Sequence, residues 1–232
     1  MKKLIRFLLI IILILSLLII YARYGGTRGL ITKEYPIETT IDDSFDGLKI
    51  VHFSDLHYLR ITNKETTQSI IEEINLLNPD IVVFTGDLID KDYKPNDKDI
   101  SNLKELLTSI KSKYGKYSVL GEHDTKIEDT IKDIYISSNF TLLDNSYDII
   151  YGNNNNKLFI GGLSNNPDID KVMNYFTDNE DINYKIILVH KPDYIDTITS
   201  KYDNINLVLA GHSHNGQINI PYIKKLFLPE GS

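Results

Sequence analysis

The chain has 232 residues, 42% of them hydrophobic, which suits one globular domain with a short additional segment. Its formal net charge of -7 leaves no basic surplus for neutralising phosphates, so no nucleic-acid partner is expected. The absence of cysteine excludes disulfides, thiolate zinc sites, cysteine nucleophiles and a lipid anchor on cysteine.

The N-terminal segment, residues 1–24, is predicted to be a membrane anchor. Its apolar run, residues 7–20, is interrupted only by Ser16 and can be extended on both sides toward the roughly 20 residues that a span needs. A cleavable signal peptide has a similar pattern, but the spacing of small residues at 21–24 is poor for cleavage. We therefore expect one continuous transmembrane helix from residue 3 to about residue 22.

Basic residues flank this anchor on both sides, so the positive-inside rule discriminates little between its two orientations. A short N-terminal tail ahead of a large domain favours the tail inside the cell. The expected location is therefore single-pass in the cell membrane, with the large domain on the extracytoplasmic side. Residues 25–44 are predicted to form a linker and a first edge strand, punctuated by Gly25, Gly26 and Pro36.

From Leu48 onward, short apolar, β-branched runs alternate with segments of helical period, which predicts an α/β domain whose helices cover its sheets. Amphipathic helices are predicted over residues 64–77 and 99–112, and a hairpin turn over residues 153–156. The predicted strands are residues 48–53, 80–85, 117–120, 147–151, 157–160, 185–189 and 206–210.

Five of these strands run directly into residues that can bind metal ions. Ligands in open α/β sheets gather just past the carboxyl ends of strands. Five of the six histidines lie at such ends, and only His52 lies within a strand. One Asp-x-His or Gly-Asp alone usually marks a turn, but five such ends together predict a site. The polar residues are Asp55, His57, Asp87, Asp90, Glu122, His123, Asp124, His190, His212 and His214.

The residue types indicate the chemistry. Imidazoles and carboxylates without thiolates suit divalent Mn, Fe, Zn or Ni. Asp-x-His and His-x-His place alternate residues on one side of an extended backbone, so both can point at one ion. Glycines at positions 86, 121 and 211 allow sharp turns where the ligands converge. Serine catalysis is disfavoured, because no base-and-acid triad accompanies Ser54 or Ser213.

The order of these residues resembles the calcineurin-like metallophosphoesterases, and within them the membrane-anchored bacterial branch, from about Leu48 to Gln217. The matching motifs are Asp55-x-His57, Gly86-Asp87-x-x-Asp90, Gly121-Glu122-His123-Asp124, His190 and Gly211-His212-Ser213-His214-Asn215-Gly216-Gln217. The resemblance implies a four-layer α/β/β/α sandwich of two mixed sheets with a dinuclear metal centre at one edge. Residues 45–232 are therefore predicted to form a metallophosphoesterase domain.

By the same resemblance, two divalent metal ions would be bound, and each ligand has a role. Asp55, His57 and His214 would bind one ion, His190, His212 and Glu122 the other, and Asp87 would bridge the two. A metal-bridging hydroxide would attack phosphorus. His123, oriented by Asp124, would contact the phosphate or protonate the leaving oxygen. Asp90 is expected to support a ligand or a turn rather than to bind metal.

The chain departs from the family pattern in two places. The family has Asn where this chain has Glu122, an oxygen ligand whose added charge would weaken the metals' Lewis acidity and repel an anionic substrate. The family pattern also continues past the last motif with more strands, whereas this chain ends at Ser232. We expect either that the last strands are truncated or that a partner segment completes the sheet.

The leading hypothesis is a metal-dependent phosphoesterase that hydrolyses a phosphomonoester or a phosphodiester. The tether beside a bilayer makes a phospholipid or a lipid-linked nucleotide a candidate substrate. The alternative is a weakly active or inactive family member that binds a phosphorylated ligand or partner. This alternative is based on Glu122 and the early C-terminus.

Overall fold

A computed structural model of the chain describes residues 2–24, 29–174, 182 and 184–214. The chain divides into two compact units, Met1–Glu38 and Thr39–Ser232. Residues 215–217 of the last predicted motif lie outside the described residues. The C-terminal region to which the expectation of missing strands applies lies outside them too.

The first unit contains helix α1, Lys2–Tyr24, which confirms the predicted N-terminal helix. The stretch Lys2–Tyr21 is long and apolar enough to cross a membrane, with a mean hydropathy of 3.0, and none of it is buried. Its one hydroxyl, Ser16 Oγ, donates to the carbonyl oxygen of Ile12 at 2.8 Å, so it is satisfied within the helix.

The first edge strand predicted within residues 25–44 needs correction. Residues 29–42 contain neither helix nor strand. Pro36 lies in their middle and has no amide hydrogen to give to a strand ladder. The predicted boundaries of the anchor, linker and domain stay predictions.

The described residues of the second unit form two four-stranded sheets. The first has the strand order β1-β2-β3-β4, and its four strands are all parallel. They are β1 (Ile50–Phe53), β2 (Ile81–Phe84), β3 (Gly115–Ser118) and β4 (Phe140–Leu142).

The second sheet is mixed, with the order β5-β6-β7-β8. Strands β5 and β6 form an antiparallel hairpin around the predicted turn, and the other two pairs are parallel. The strands are β5 (Ser146–Tyr151), β6 (Lys157–Gly162), β7 (Tyr184–Val189) and β8 (Leu207–Ala210).

Helices cover the outer face of each sheet. The predicted helices at residues 64–77 and 99–112 are confirmed as α2 and α3, which start at the N-caps Asn63 and Asn96. The sequence pattern did not predict the shorter helices α4 and α5 or strand β4. The five helices are α2 (Lys64–Leu76), α3 (Asp97–Thr108), α4 (Glu128–Ser137), α5 (Ile169–Met173) and α6 (Tyr194–Lys201).

Alternating side chains place the two sheets face to face. In β2, Val82 and Phe84 pack with α2 to α4, whereas Ile81 and Val83 pack toward the second sheet. In β7 the side chains also alternate. Leu188 packs toward the first sheet, and the residues before and after it pack against α5 and α6. The layers therefore run helix, sheet, sheet, helix, as predicted.

The register of the strands determines where the site lies. Phe53, Phe84 and Ser118 are aligned across β1, β2 and β3, and Val189 is aligned with Ala210 across β7 and β8. Because these strands are parallel, their carboxyl ends meet at one edge. All five predicted polar loops leave the sheets there.

Candidate metal centre

The first group of potential ligands consists of Asp55, His57 and His214. One ligand atom from each lies within 4.8 Å of the other two. Asp55 Oδ1 is 3.5 Å from His214 Nε2, and the His57 and His214 rings stack with centroids 5.3 Å apart. Burial lowers the pKa of His57 more than the nearby Asp87 raises it, which keeps the imidazole in the neutral form that binds metal.

The second group consists of Asp87, His190 and His212, all buried. Asp87 also belongs to a third group with His57 and His123. Asp87 Oδ2 lies 3.4 Å from His190 Nε2 and 3.7 Å from His57 Nε2. One carboxylate oxygen thus stands between the two main groups, where a bridging ligand would have to be.

The surroundings of His190 fit a bound cation. Its Nδ1 is 2.7 Å from the carbonyl oxygen of Thr85, so Nδ1 is the donor there. The other nitrogen, Nε2, is buried without a hydrogen-bond partner and faces the Asp87 carboxylate at 3.4 Å. Burial lowers the pKa of His190, but the Asp87 carboxylate that faces Nε2 outweighs burial and raises it. A divalent ion would satisfy both Nε2 and this carboxylate.

Asp87 itself is prepared as an anion. Burial opposes its ionisation, but His190 and the amide of His123, which donates to Asp87 Oδ1 at 2.8 Å, hold its pKa at about 2. The orientation of Asp55 is fixed by the amide of His212, which donates to both of its oxygens at 3.1 and 3.0 Å. Both carboxylates are therefore oriented before any ligand arrives.

The backbone is strained where these side chains converge. Left-handed φ values are uncommon for residues with a Cβ, and they cluster at functional sites. Five of the seven predicted metal ligands have them: Asp55 (54°), His57 (40°), Asp87 (60°), His212 (65°) and His214 (47°).

All three predicted turn glycines allow the loops to approach each other, and a Cβ on Gly86, whose φ is +94°, would lie 2.4 Å from the backbone nitrogen of Gly121. A Cβ on Gly121 would lie 2.1 Å from Asp87 Oδ1, and one on Gly211 would lie 2.1 Å from Ser54 Oγ. None of these positions can hold a larger residue without movement of the ligand loops.

Asp124 has a different environment from the predicted one. It was expected to orient His123, but its fully buried carboxylate accepts hydrogen bonds from the amides of Asp87, Leu88 and Gly121 at 2.8–2.9 Å. Burial and the charge of Asp87 raise its pKa to about 7 against these amides. Asp124 thus joins the second and third ligand loops instead of holding the imidazole.

Asp90 is the residue beside His123. Its Oδ2 is 3.4 Å from His123 Nδ1 and 3.2 Å from His57 Nδ1, while Arg60 donates to Oδ1 at 2.6 Å. Burial alone would raise the pKa of Asp90, but the amide of Asp92 and the Arg60 guanidinium have the larger combined effect and lower it. The motif predicted a supporting role for Asp90, whereas nothing in the pattern indicated Arg60 or Thr85.

His123 presents one nitrogen to the open side of the site. Its Nδ1 is 3.3 Å from the amide of Lys91, which donates to it. Its Nε2 is 3.9 Å from Glu122 Oε1, and its side chain is 14% exposed. With Nδ1 held inside the protein, Nε2 is the nitrogen that a substrate can reach.

Glu122, predicted as a further metal ligand, belongs to none of the three groups. Its Oε2 pairs with Lys191 Nζ at 2.7 Å. Partial burial disfavours its charge, but Lys191 outweighs this and lowers the pKa of Glu122. The structure therefore gathers six of the seven predicted ligands and turns the seventh toward a lysine.

Comparison with known proteins agrees with this picture. Residues 48–216 match the family described as "Calcineurin-like phosphoesterase". The chain is 33% identical to the uncharacterized metallophosphoesterase YkuE of Bacillus subtilis, over 90% of this chain and 73% of that protein. It is 26% identical to a "Transmembrane protein with metallophosphoesterase domain" of Danio rerio, over 89% and 49%, and 29% identical to an uncharacterized metallophosphoesterase of Campylobacter jejuni, over 95% and 58%.

Proposed function

Since the chain belongs to the calcineurin-like metallophosphoesterase family, we propose that it hydrolyses a phosphomonoester or phosphodiester with two divalent metal ions. The position of Asp87 carries the proposal, because its Oδ2 lies within 3.7 Å of histidines from both ligand groups. The proposed ligands are Asp55, His57 and His214 for one ion and His190 and His212 for the other, with Asp87 shared. When bound, the ions supply Lewis acidity and make hydroxide available from water near neutral pH.

His123 is the proposed proton donor to the leaving oxygen. Its Nε2 faces the open side of the site, and Asp90 lies against the opposite nitrogen at 3.4 Å. In the imidazolium form Nδ1 carries a proton and no longer accepts from the Lys91 amide, so the Asp90 carboxylate would become its partner, stabilise the charge and hold the ring in one orientation. Asp90 thus performs the positioning that the motif suggested for Asp124.

The membrane anchor is part of the proposal. Helix α1 is long and apolar enough to span a bilayer, and the Danio rerio relative is named a transmembrane protein. A domain tethered in this way meets phosphate esters that are confined to the membrane surface. A phospholipid or lipid-linked nucleotide is therefore a proposed substrate, with the domain on the extracytoplasmic side.

A generic chromogenic phosphodiester and a phosphomonoester test the proposal directly. The full-length chain in detergent should hydrolyse at least one of them with added Mn²⁺ and stop when the metal is chelated. His123→Ala should slow turnover about 10²–10⁴-fold while the metals stay bound, since a positioned proton donor contributes that much. Binding of phosphate without any turnover would instead support the inactive, ligand-binding alternative.

A further inference from the structure

An ion pair stands at the open side of the candidate metal centre. Glu122 Oε2 and Lys191 Nζ are 2.7 Å apart, with side chains 37% and 27% exposed. Each residue is adjacent in sequence to a site residue, because Glu122 precedes His123 and Lys191 follows His190. The proposed function assigns no task to Lys191.

The pair lies beside the proposed proton donor. Glu122 Oε1 is 3.9 Å from His123 Nε2, the nitrogen proposed to face the leaving oxygen. The Glu122 carboxylate therefore contacts both the Lys191 ammonium and the proposed proton donor His123. A phosphate ester that reaches His123 comes within range of both charges.

The two charges act on a phosphate in opposite directions. Lys191 attracts a phosphoryl oxygen, while Glu122 repels the second negative charge that a phosphomonoester carries and a phosphodiester lacks. Within the pair the two charges largely cancel, so the second negative charge of a dianion gains no extra attraction. Without Glu122, the lysine would favour the dianion.

We infer that Lys191 contacts the phosphoryl oxygens of the substrate and that Glu122 restricts the site to phosphodiesters. This inference rests on the proposed function, because it concerns the same phosphate. It also assigns Glu122 as the counter-ion of Lys191 and not as a ligand of the second metal.

A simple surface ion pair is the competing explanation, since such pairs contribute little and can be removed without effect on a ligand. The chain contains a matched control in Lys104 and Asp133, whose Nζ and Oδ2 are 2.6 Å apart. The Lys104 side chain is 28% exposed, close to that of Lys191, and it joins α3 to α4.

The experiment compares full-length wild type, Glu122→Gln, Lys191→Met, Lys191→Arg and Lys104→Met in detergent with saturating Mn²⁺. We measure kcat/KM for bis(p-nitrophenyl) phosphate and p-nitrophenyl phosphate. Glu122→Gln should raise the monoester-to-diester ratio about tenfold, the size expected for one partly screened charge near the phosphate. Lys191→Met should lower kcat/KM about tenfold for both esters, mainly through KM. Lys191→Arg should retain most activity.

Lys104→Met should leave both rates and their ratio unchanged. An unchanged ratio in Glu122→Gln overturns the inference, and so does a Lys191→Met variant that behaves like Lys104→Met. Thermal unfolding of each variant separates these results from misfolding.

Calorimetric binding of inorganic phosphate with Mn²⁺ present provides a readout that needs no turnover. If the wild type hydrolyses neither ester, the proposed function fails, but this binding still decides the role of Lys191. Lys191→Met should weaken phosphate binding about tenfold and Glu122→Gln should strengthen it. Equal affinities in all variants, or no binding by the wild type, overturn the inference.

Discussion

At the scale of single residues, the buried Asp124 carboxylate illustrates how the ligand loops are joined. It accepts from the amides of Asp87, Leu88 and Gly121, which come from two different loops. A buried amide that loses its acceptor costs about 1–3 kcal/mol. The residue therefore stabilises the site through the backbone, and its change should be visible in folding stability as well as in catalysis.

We predict that Asp124→Ala lowers the free energy of unfolding by about 1–3 kcal/mol, because three buried amides lose their acceptor while the cost of burying a carboxylate, which raises its pKa to about 7, is removed. Urea unfolding of the metal-free chain measures this change, with tyrosine circular dichroism as the signal because the protein has 15 tyrosines and no tryptophan. As a control, Asp133→Ala should change stability by less than about 1 kcal/mol, since that carboxylate is exposed and paired only with surface groups. Equal losses in both variants would contradict the assigned role of Asp124.

The individual contacts of the site were only partly predictable from the sequence. The ligand types and their positions after strands follow from the pattern of apolar runs and polar ends. The partner of His123 does not, because Asp124 is its neighbour in sequence whereas Asp90 reaches it through the fold. Likewise, the direction of Glu122 depends on Lys191, which is 69 residues farther along the chain.

At the scale of elements, the sharp turns after the strands bring the ligand loops into contact. The Cα of Gly121 packs against Asp87, where an added Cβ would lie 2.1 Å from a carboxylate oxygen and 2.2 Å from the amide nitrogen. Real Cβ atoms do not approach so closely, so the loop after β3 would have to move away from the loop after β2.

We predict that Gly121→Ala weakens metal binding and lowers turnover at least 10²-fold, because it displaces the shared Asp87 carboxylate by a fraction of an ångström or more. Gly47→Ala is the control, since no atom lies within 4 Å of its added Cβ and only its φ of +71° is unfavourable. That variant should lose about 1 kcal/mol of stability and no activity. Metal titration and steady-state kinetics test both variants, and normal metal affinity in Gly121→Ala would show that the loops are not this tightly packed.

The long helices with a regular pattern and the strands with an apolar run were predictable, whereas α5 and β4 were not. Helices α2 and α3 have thirteen and twelve residues and capped starts, which the sequence pattern shows clearly. Helix α5 has five residues and β4 has three, too few to establish a period. These short elements are stabilised by burial against the sheets, which only the tertiary structure reveals.

At the scale of the whole molecule, the N-terminal helix is the proposed membrane anchor. The α1 side chains from Leu4 to Ile20 are exposed in the structure, and such a surface is stable in lipid but not in water. We therefore expect the proposed activity to act on phosphate esters of the membrane surface.

We predict that the full-length chain stays in the membrane pellet after carbonate extraction. Replacing Leu13 and Ile14 together by Asp should release it, because each charge at the centre of a span costs about 2.5–3.5 kcal/mol on the insertion scale. Ser16→Ala should remain in the pellet, since this hydroxyl is already satisfied within the helix. Recovery of the unaltered chain in the soluble fraction would contradict the anchor.

The most direct test of the central claim is the number of metal ions that the full-length chain binds, measured by elemental analysis together with hydrolysis of a chromogenic phosphodiester. Asp87 is the residue to change, because its carboxylate stands between both ligand groups. We expect two divalent ions per chain in the wild type. Asp87→Ala should hold fewer than two and lose at least 10³-fold in kcat, since the shared ligand is removed. Full metal content and undiminished turnover in Asp87→Ala would contradict the dinuclear site.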